Sequence, residues 1–316
     1  MDSHRKNRIL NNLMLGKTKI FLDKTYIVET PTLDVLQESG YIYDKIHKEN
    51  RFAGWLSNDL ALSYLLRRKI CVLDVDKNLE ILSKSIDDKK VGLYFAHWQN
   101  QQLYKQLRNQ LKVLKKSYIR QFNTRHFLDK YTIDGYASKI QEQFVYYKSI
   151  FHEDGTLVWD DFDNVDIRLL DKILGQYFDE QPTEEECRFL ARNEPWRSCW
   201  TIKGIHNFRI IENSQRNLIL YTKMYENAYQ HPDCPSNKII DDDDLFDGWL
   251  IQIKRKNDKD KKDNIKESVD MKHPNASEIF IPVANAEEAL EVNSFNDVGA
   301  RIAKKKREAQ LNAQEK

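Results

Sequence analysis

A mainly helical α+β body with a small N-terminal β-hairpin is what this sequence predicts, and three observations carry that prediction. Pro and Gly are scarce, 7 and 10 among 316 residues, too few for the turns of an all-β sandwich. Long stretches repeat apolar residues every three or four positions, the period of a helix with one buried face. Only Lys17 to Leu22 and Thr25 to Glu29 alternate instead, around Asp23-Lys24, which is a hairpin signal. At 41% hydrophobic the chain can bury a sizeable core, and its length suggests one to three domains.

The hairpin opens an N-terminal unit, residues 1–53. A helix follows from Thr32 to about Lys48, with Leu33, Leu36, Tyr41 and Ile46 on its apolar pattern. A helical body is expected over 54–253. Ser57-Asn58-Asp59 offers an N-cap for a helix carrying Leu60, Leu62, Leu65 and Leu66. Residues 76–150 read as three helices. The clearest runs from about Gln99 to Phe122, with Leu103, Leu107, Leu111, Leu114 and Tyr118 on one face. Another starts near Thr132 and carries Ile133, Tyr136, Ile140, Phe144 and Tyr147. Thr183-Glu184-Glu185-Glu186 is a capping box for a helix through Arg192, and Pro195 suits the first position of the next. Ser214 to Gln230 reads as a helix with Leu218, Tyr221, Tyr225 and Ala228 inward. Residues 254–272 have mixed charge and almost no apolar content, which predicts a solvated linker. Residues 273–316 regain a strand-like piece, Ile279 to Val283, and then two helical segments, Glu287 to Glu291 and about Asn296 to the end, the second carrying the basic run Lys304 to Arg307.

Composition excludes several classes. The 50 basic and 49 acidic residues leave a net charge of +1, so the total gives no reason to bind a polyanion. No run of 18 apolar residues exists, so no membrane span and no membrane partner is expected. The polar start, Met1 to Lys6, does not read as a signal peptide. Four scattered cysteines, Cys71, Cys187, Cys199 and Cys234, suit free thiols in a reducing compartment better than a disulfide framework.

Charge is nevertheless uneven along the chain. Residues 98–150 hold ten Lys/Arg and three Asp/Glu, net +7. Residues 152–187 hold two and twelve, net −10, and are expected to neutralise the basic helices inside the fold. Lys105, Arg108, Lys112 and Lys115 share a helical face that could instead meet nucleic-acid phosphates.

No motif carries recognisable catalysis, so no catalytic residue, metal or cofactor is assigned. Leu15-Gly16-Lys17-Thr18 ends like a phosphate loop, but Asn11 stands where the first Gly is needed. Asp241 to Gly248 fails as a calcium loop: with Gly248 at position 6, position 3 is Leu245 and position 12 is Lys254. Such an acidic run suits a helix N-terminus, here near Leu245, with Trp249, Leu250 and Ile253 following. Cys199, His206, His231 and Cys234 do not have zinc spacing throughout.

The densest cluster lies between Pro195 and Trp249. It holds Pro195-Trp196-Arg197-Ser198, with Trp200 one turn on, then Gln215-x-x-Leu218 and Met224-Tyr225. His231-Pro232-Asp233-x-Pro235 and Asp242-Asp243-Asp244-x-x-Asp247-Gly248-Trp249 complete it. Over about residues 188–256 this order resembles uncharacterised proteins of large tailed bacteriophages, of the virion and tail-morphogenesis kind. The resemblance implies a viral source, a place in the host cytoplasm or the virion, and a non-enzymatic structural or assembly role. A tail-assembly chaperone or a minor virion component fits it. Phage structural or assembly proteins are then the expected partners. Trp196, Arg197, Trp200, Tyr225, His231, Asp243, Asp244, Asp247 and Trp249 are the candidate partner-binding residues, since Trp, Tyr and Arg dominate interface hot spots. Core packing is the ordinary account of the same aromatics. The alternative from another class is a nucleic-acid-binding accessory protein using the basic helices.

Overall fold

The computed structural model describes residues 2–50, 54–203 and 213–272. It is mainly α with a small antiparallel sheet. Helix α1 (Ser3–Leu15) stops at Gly16, whose left-handed φ of 65° few other residues would tolerate, and the chain turns into the hairpin β1 (Lys17–Phe21) and β2 (Thr25–Glu29). The Gly16-Lys17-Thr18 stretch therefore runs from helix to strand, the reverse of a phosphate loop. A third strand, β3 (Ile150–His152), pairs antiparallel with β2 and was not evident in the sequence. The alternating pattern puts Thr18, Ile20, Tyr26 and Val28 inward. With Ile150, the apolar three of these pack against Phe144 and Tyr147 of α6 (Ile133–Tyr147), Leu170, Ile173 and Tyr177 of α7 (Ile167–Glu180), and Trp159.

Helix α2 (Leu33–Asn50) packs on α6, but not by the face expected. Leu33, Leu36 and Tyr41 are exposed and Ser39 is buried. Helix α3 (Asn58–Arg67) begins where expected, with the Ser57 hydroxyl accepting from the Leu60 amide. Helices α4 (Val75–Gln99) and α5 (Gln101–Arg125) form a hairpin broken by one residue. Asn100 is extended, so it ends α4, and its side-chain oxygen accepts from the Gln102 and Leu103 amides to start α5.

Helix α8 (Glu184–Arg192) opens with the full capping box at Thr183 and Glu186. It packs against α10 (Asn213–Tyr229). Buried Gln215 donates its amide at 2.7 Å to the Leu13 carbonyl, one of the orphan acceptors at the end of α1. Helix α9 (Trp196–Lys203) lies between α8 and α10 in sequence, and the short α11 (Asn237–Ile240) leads into α12 (Asp243–Lys272). Here the linker reading is corrected: α12 runs unbroken for 30 residues through 254–272. Charges of both signs along a helix support it locally as well as they solvate a loop, and composition alone does not separate the two. Residues 254–260 are exposed. The chain divides into a compact unit, residues 1–252, and a second unit from 253 onward. The expected strand-like piece, the helical tail and its basic run lie outside the described residues. No described helix is long and apolar enough to cross a membrane.

Candidate functional site

The acidic run begins α12. Asp242 caps it, its oxygen accepting from the Asp244 and Leu245 amides at 3.2 Å each. Below the cap, Leu245, Phe246 and Trp249 point inward at helical spacing and are buried. Phe246 stacks on Tyr225 of α10 with centroids 4.6 Å apart, and on Trp249 at 5.7 Å. His231 meets the Trp249 ring edge-on at 5.5 Å.

The carboxylates do not face open water. Asp242 pairs with Arg108 of α5. Asp243 receives Arg192 of α8 at 2.5 Å, and the same guanidinium donates to the Ile240 carbonyl at 3.1 Å. Asp244 takes Lys115 of α5 at 2.5 Å and lies 3.7 Å from Arg108. Asp247 accepts both forks of Arg188, at 2.8 and 3.3 Å, and Lys90 of α4 at 2.7 Å. Four carboxylates, from the cap and the first two turns of α12, thus meet five cations drawn from α4, α5 and α8. Tyr221 and Tyr225 flank them, with Arg188 and Arg192 over their rings.

The electrostatics are those of a closed network. Burial opposes ionisation of Asp247, yet the hydrogen bond from Arg188 and the nearby charges of Lys90 and Arg188 outweigh it, so its pKa sits below the ordinary value. Burial pushes the Tyr225 hydroxyl up to about 12 and the Cys187 thiol up to about 11, so Cys187 is an inert buried thiol. Each carboxylate has a cation where a metal would need an open oxygen, and no metal-binding group of His, Cys, Asp and Glu occurs among the described residues.

The candidate binding residues are therefore distributed unexpectedly. Trp196, Tyr225 and Trp249 are buried at 3%, 0% and 3% exposure, which corrects their reading as surface anchors. Trp196 donates its indole N–H to Thr222 at 2.8 Å. Asp243, Asp244 and Asp247 are occupied by cations of the same chain. Arg197 lies over Tyr229 at 4.3 Å and 3.5 Å from Glu226, and Trp200 is half-buried beside Trp196. His206 lies outside the described residues. Of the candidate phosphate-binding residues, Arg108 and Lys115 belong to the network, while Lys105 and Lys112 stay exposed. Among the described residues the 152–187 segment makes no ion pair with α5: Glu186 pairs with Arg5, Glu180 with Arg8, Glu153 with Lys19 and Glu184 with Arg188. Lys90 and Arg188 were missed, because pairing across 157 and 59 residues leaves no local signal.

Large apolar side chains also stay uncovered. On the last turns of α4, Phe95 and Trp98 are 43% and 63% exposed at i and i+3, one face of the helix. Leu103, placed inward by its spacing, is 43% exposed just past the Asn100 turn. Compared with family models, curated proteins and solved structures, the chain matches none.

Proposed function

We propose that this chain is a non-catalytic binding protein of the assembly-factor kind, a tail-assembly chaperone or minor virion component, which holds protein partners through the end of the α4–α5 hairpin. One observation carries the reading: Trp98, the residue type richest in interface hot spots, stays mostly in water beside exposed Phe95. The densely patterned 195–249 block supports it indirectly. Its aromatics and aspartates are used to fix α4, α5, α8 and α12 against one another, which makes a rigid support for that end of the hairpin. The phage likeness narrows the partner class to structural and assembly proteins.

Affinity capture of the tagged chain with virion proteins tests this. Trp98→Ala is expected to raise the dissociation constant of the captured partner about thirtyfold, equivalent to ~2 kcal/mol for a central anchor. Unchanged recovery with a folded variant overturns it.

A second reading rests on α5. Its 25 residues include seven Lys/Arg and no Asp/Glu. Arg108, Lys115 and Arg125 have acidic partners, whereas Lys105, Lys112, Lys116 and Arg120 lie on its exposed outer side with no ion pair among the described residues. That stripe is the part of the basic surface free to meet phosphates.

A further inference from the structure

Between α3 and α4 the chain makes a short loop, Lys69 to Asp74, in which only Cys71 turns inward. Its sulfur lies 3.7 Å from the Thr124 carbonyl near the end of α5. The Ile70 amide donates to the Leu65 carbonyl at 3.0 Å, so the loop is tied at its start. Lys69 and Asp74 bracket it, both at φ 57°, a left-handed conformation that costs a non-glycine residue about 1 kcal/mol. The fold thus holds the loop in a defined and unfavourable shape. That shape turns Ile70, Val72 and Leu73 outward, 50%, 58% and 78% exposed. Phe122 and Phe127, on either side of Thr124, are also exposed. Clustered apolar side chains on a fixed surface mark a contact site.

We propose that this loop is half of a twofold interface with a second copy of the same chain. The charge arrangement selects that occupant. Arg67, Arg68 and Lys69 precede the apolar residues and Asp74 follows them, and neither Lys69 nor Asp74 has an ion pair among the described residues. In a twofold contact, residue i meets j while j meets i. An axis near Val72 lays each copy's Lys69 beside the other's Asp74 and closes the apolar residues on one another. An anionic lipid surface would meet Asp74, at the α4 end of the loop, with its own sign. A uniformly acidic or basic partner would oppose one side of the loop. Only a partner of mixed sign in reversed order satisfies both sides, and the chain itself is such a partner. This inference goes beyond the assembly-factor reading and does not depend on it.

Sedimentation of the full chain over a range of concentrations is the test, with thermal unfolding as a folding control. A monomer–dimer equilibrium is expected. Val72→Glu is expected to weaken it at least about tenfold, by setting two like charges in the apolar centre. Lys69→Asp and Asp74→Lys are each expected to weaken it about tenfold, since each turns two attractive pairs into repulsive ones. The double variant K69D/D74K restores both pairs with their signs exchanged and is expected to recover dimerisation to within about threefold of the wild type. A chain that stays monomeric throughout, a dimer indifferent to Val72→Glu, or a double variant no better than the singles overturns the proposal.

Discussion

At the scale of single residues, Asp247 is the most consequential position. It holds Arg188 and Lys90 together where both are mostly removed from water. A buried pair adds little over a well-packed apolar substitute, but removing one partner leaves uncompensated charge. Asp247→Asn is therefore expected to destabilise the fold by about 3 kcal/mol at neutral pH, read from the urea midpoint. The pH dependence has a definite sign. Asp247 ionises more readily in the folded chain than in the unfolded one. Its contribution is fully present above the unfolded carboxylate value of about 3.9 and is lost as pH falls through its lower folded value. Glu186, held low by the hydrogen bond from Arg5 against the opposing effect of burial, acts in the same direction. The wild type should lose stability on acidification below about pH 4 more steeply than Asp247→Asn does. Parallel losses in the two proteins would show that Asp247 does not carry this effect.

Among the elements, the crossing of α12 over α4 sets the tolerance to change. A Cβ at Gly248 would lie 2.2 Å from the Lys90 carbonyl oxygen and 2.7 Å from its carbon, backbone atoms that cannot swing aside. Gly175, inside α7, has nothing within 4 Å. The same change should have opposite signs at the two sites. Gly175→Ala is expected to stabilise by about 0.5–1 kcal/mol through helix propensity. Gly248→Ala, despite that gain, is expected to lose about 1–3 kcal/mol because the helices must part and strain the Lys90–Asp247 contact. Paired thermal melts check both, and equal shifts would contradict the crossing. Local signals made much of this architecture legible. The hairpin, the Ser57 and Thr183 caps, the extents of α5 and α6 and the acidic start of α12 all follow from neighbours in sequence. Strand β3 is three residues long and is defined only by its pairing to β2. The exposed face of α2 and the burial of Trp249 depend on which helix lies opposite, and periodicity does not report that. The length of α12 was misjudged because a polar helix and a polar loop share a composition.

For the molecule as a whole, a net charge near zero conceals an uneven distribution. Seven cations sit on α5 and four carboxylates at the head of α12; Arg108 and Lys115 pair with that head and Arg125 with Asp76, which leaves a residual basic stripe of Lys105, Lys112, Lys116 and Arg120. If that stripe meets phosphates, single-stranded DNA or RNA binding should weaken with salt at a log–log slope of about −3, near 0.7 per contact. Charge reversal of the four should abolish the slope, whereas retention that ignores salt would remove the nucleic-acid reading. The same pairing has a consequence for synthesis. Lys90, Arg108, Lys115, Arg188 and Arg192 all precede their carboxylate partners in the chain, by 51 to 157 residues. A growing polypeptide therefore carries four unmatched cations, and an Arg188 held only by its neighbour Glu184, until the first turns of α12 emerge. Its α4–α5 hairpin can form early from local contacts, but the surface that α12 will cover stays open and attractive to polyanions such as ribosomal RNA until then. Translation pausing just upstream of Asp242 would prolong that exposed state, and pausing just beyond Trp249 would end it.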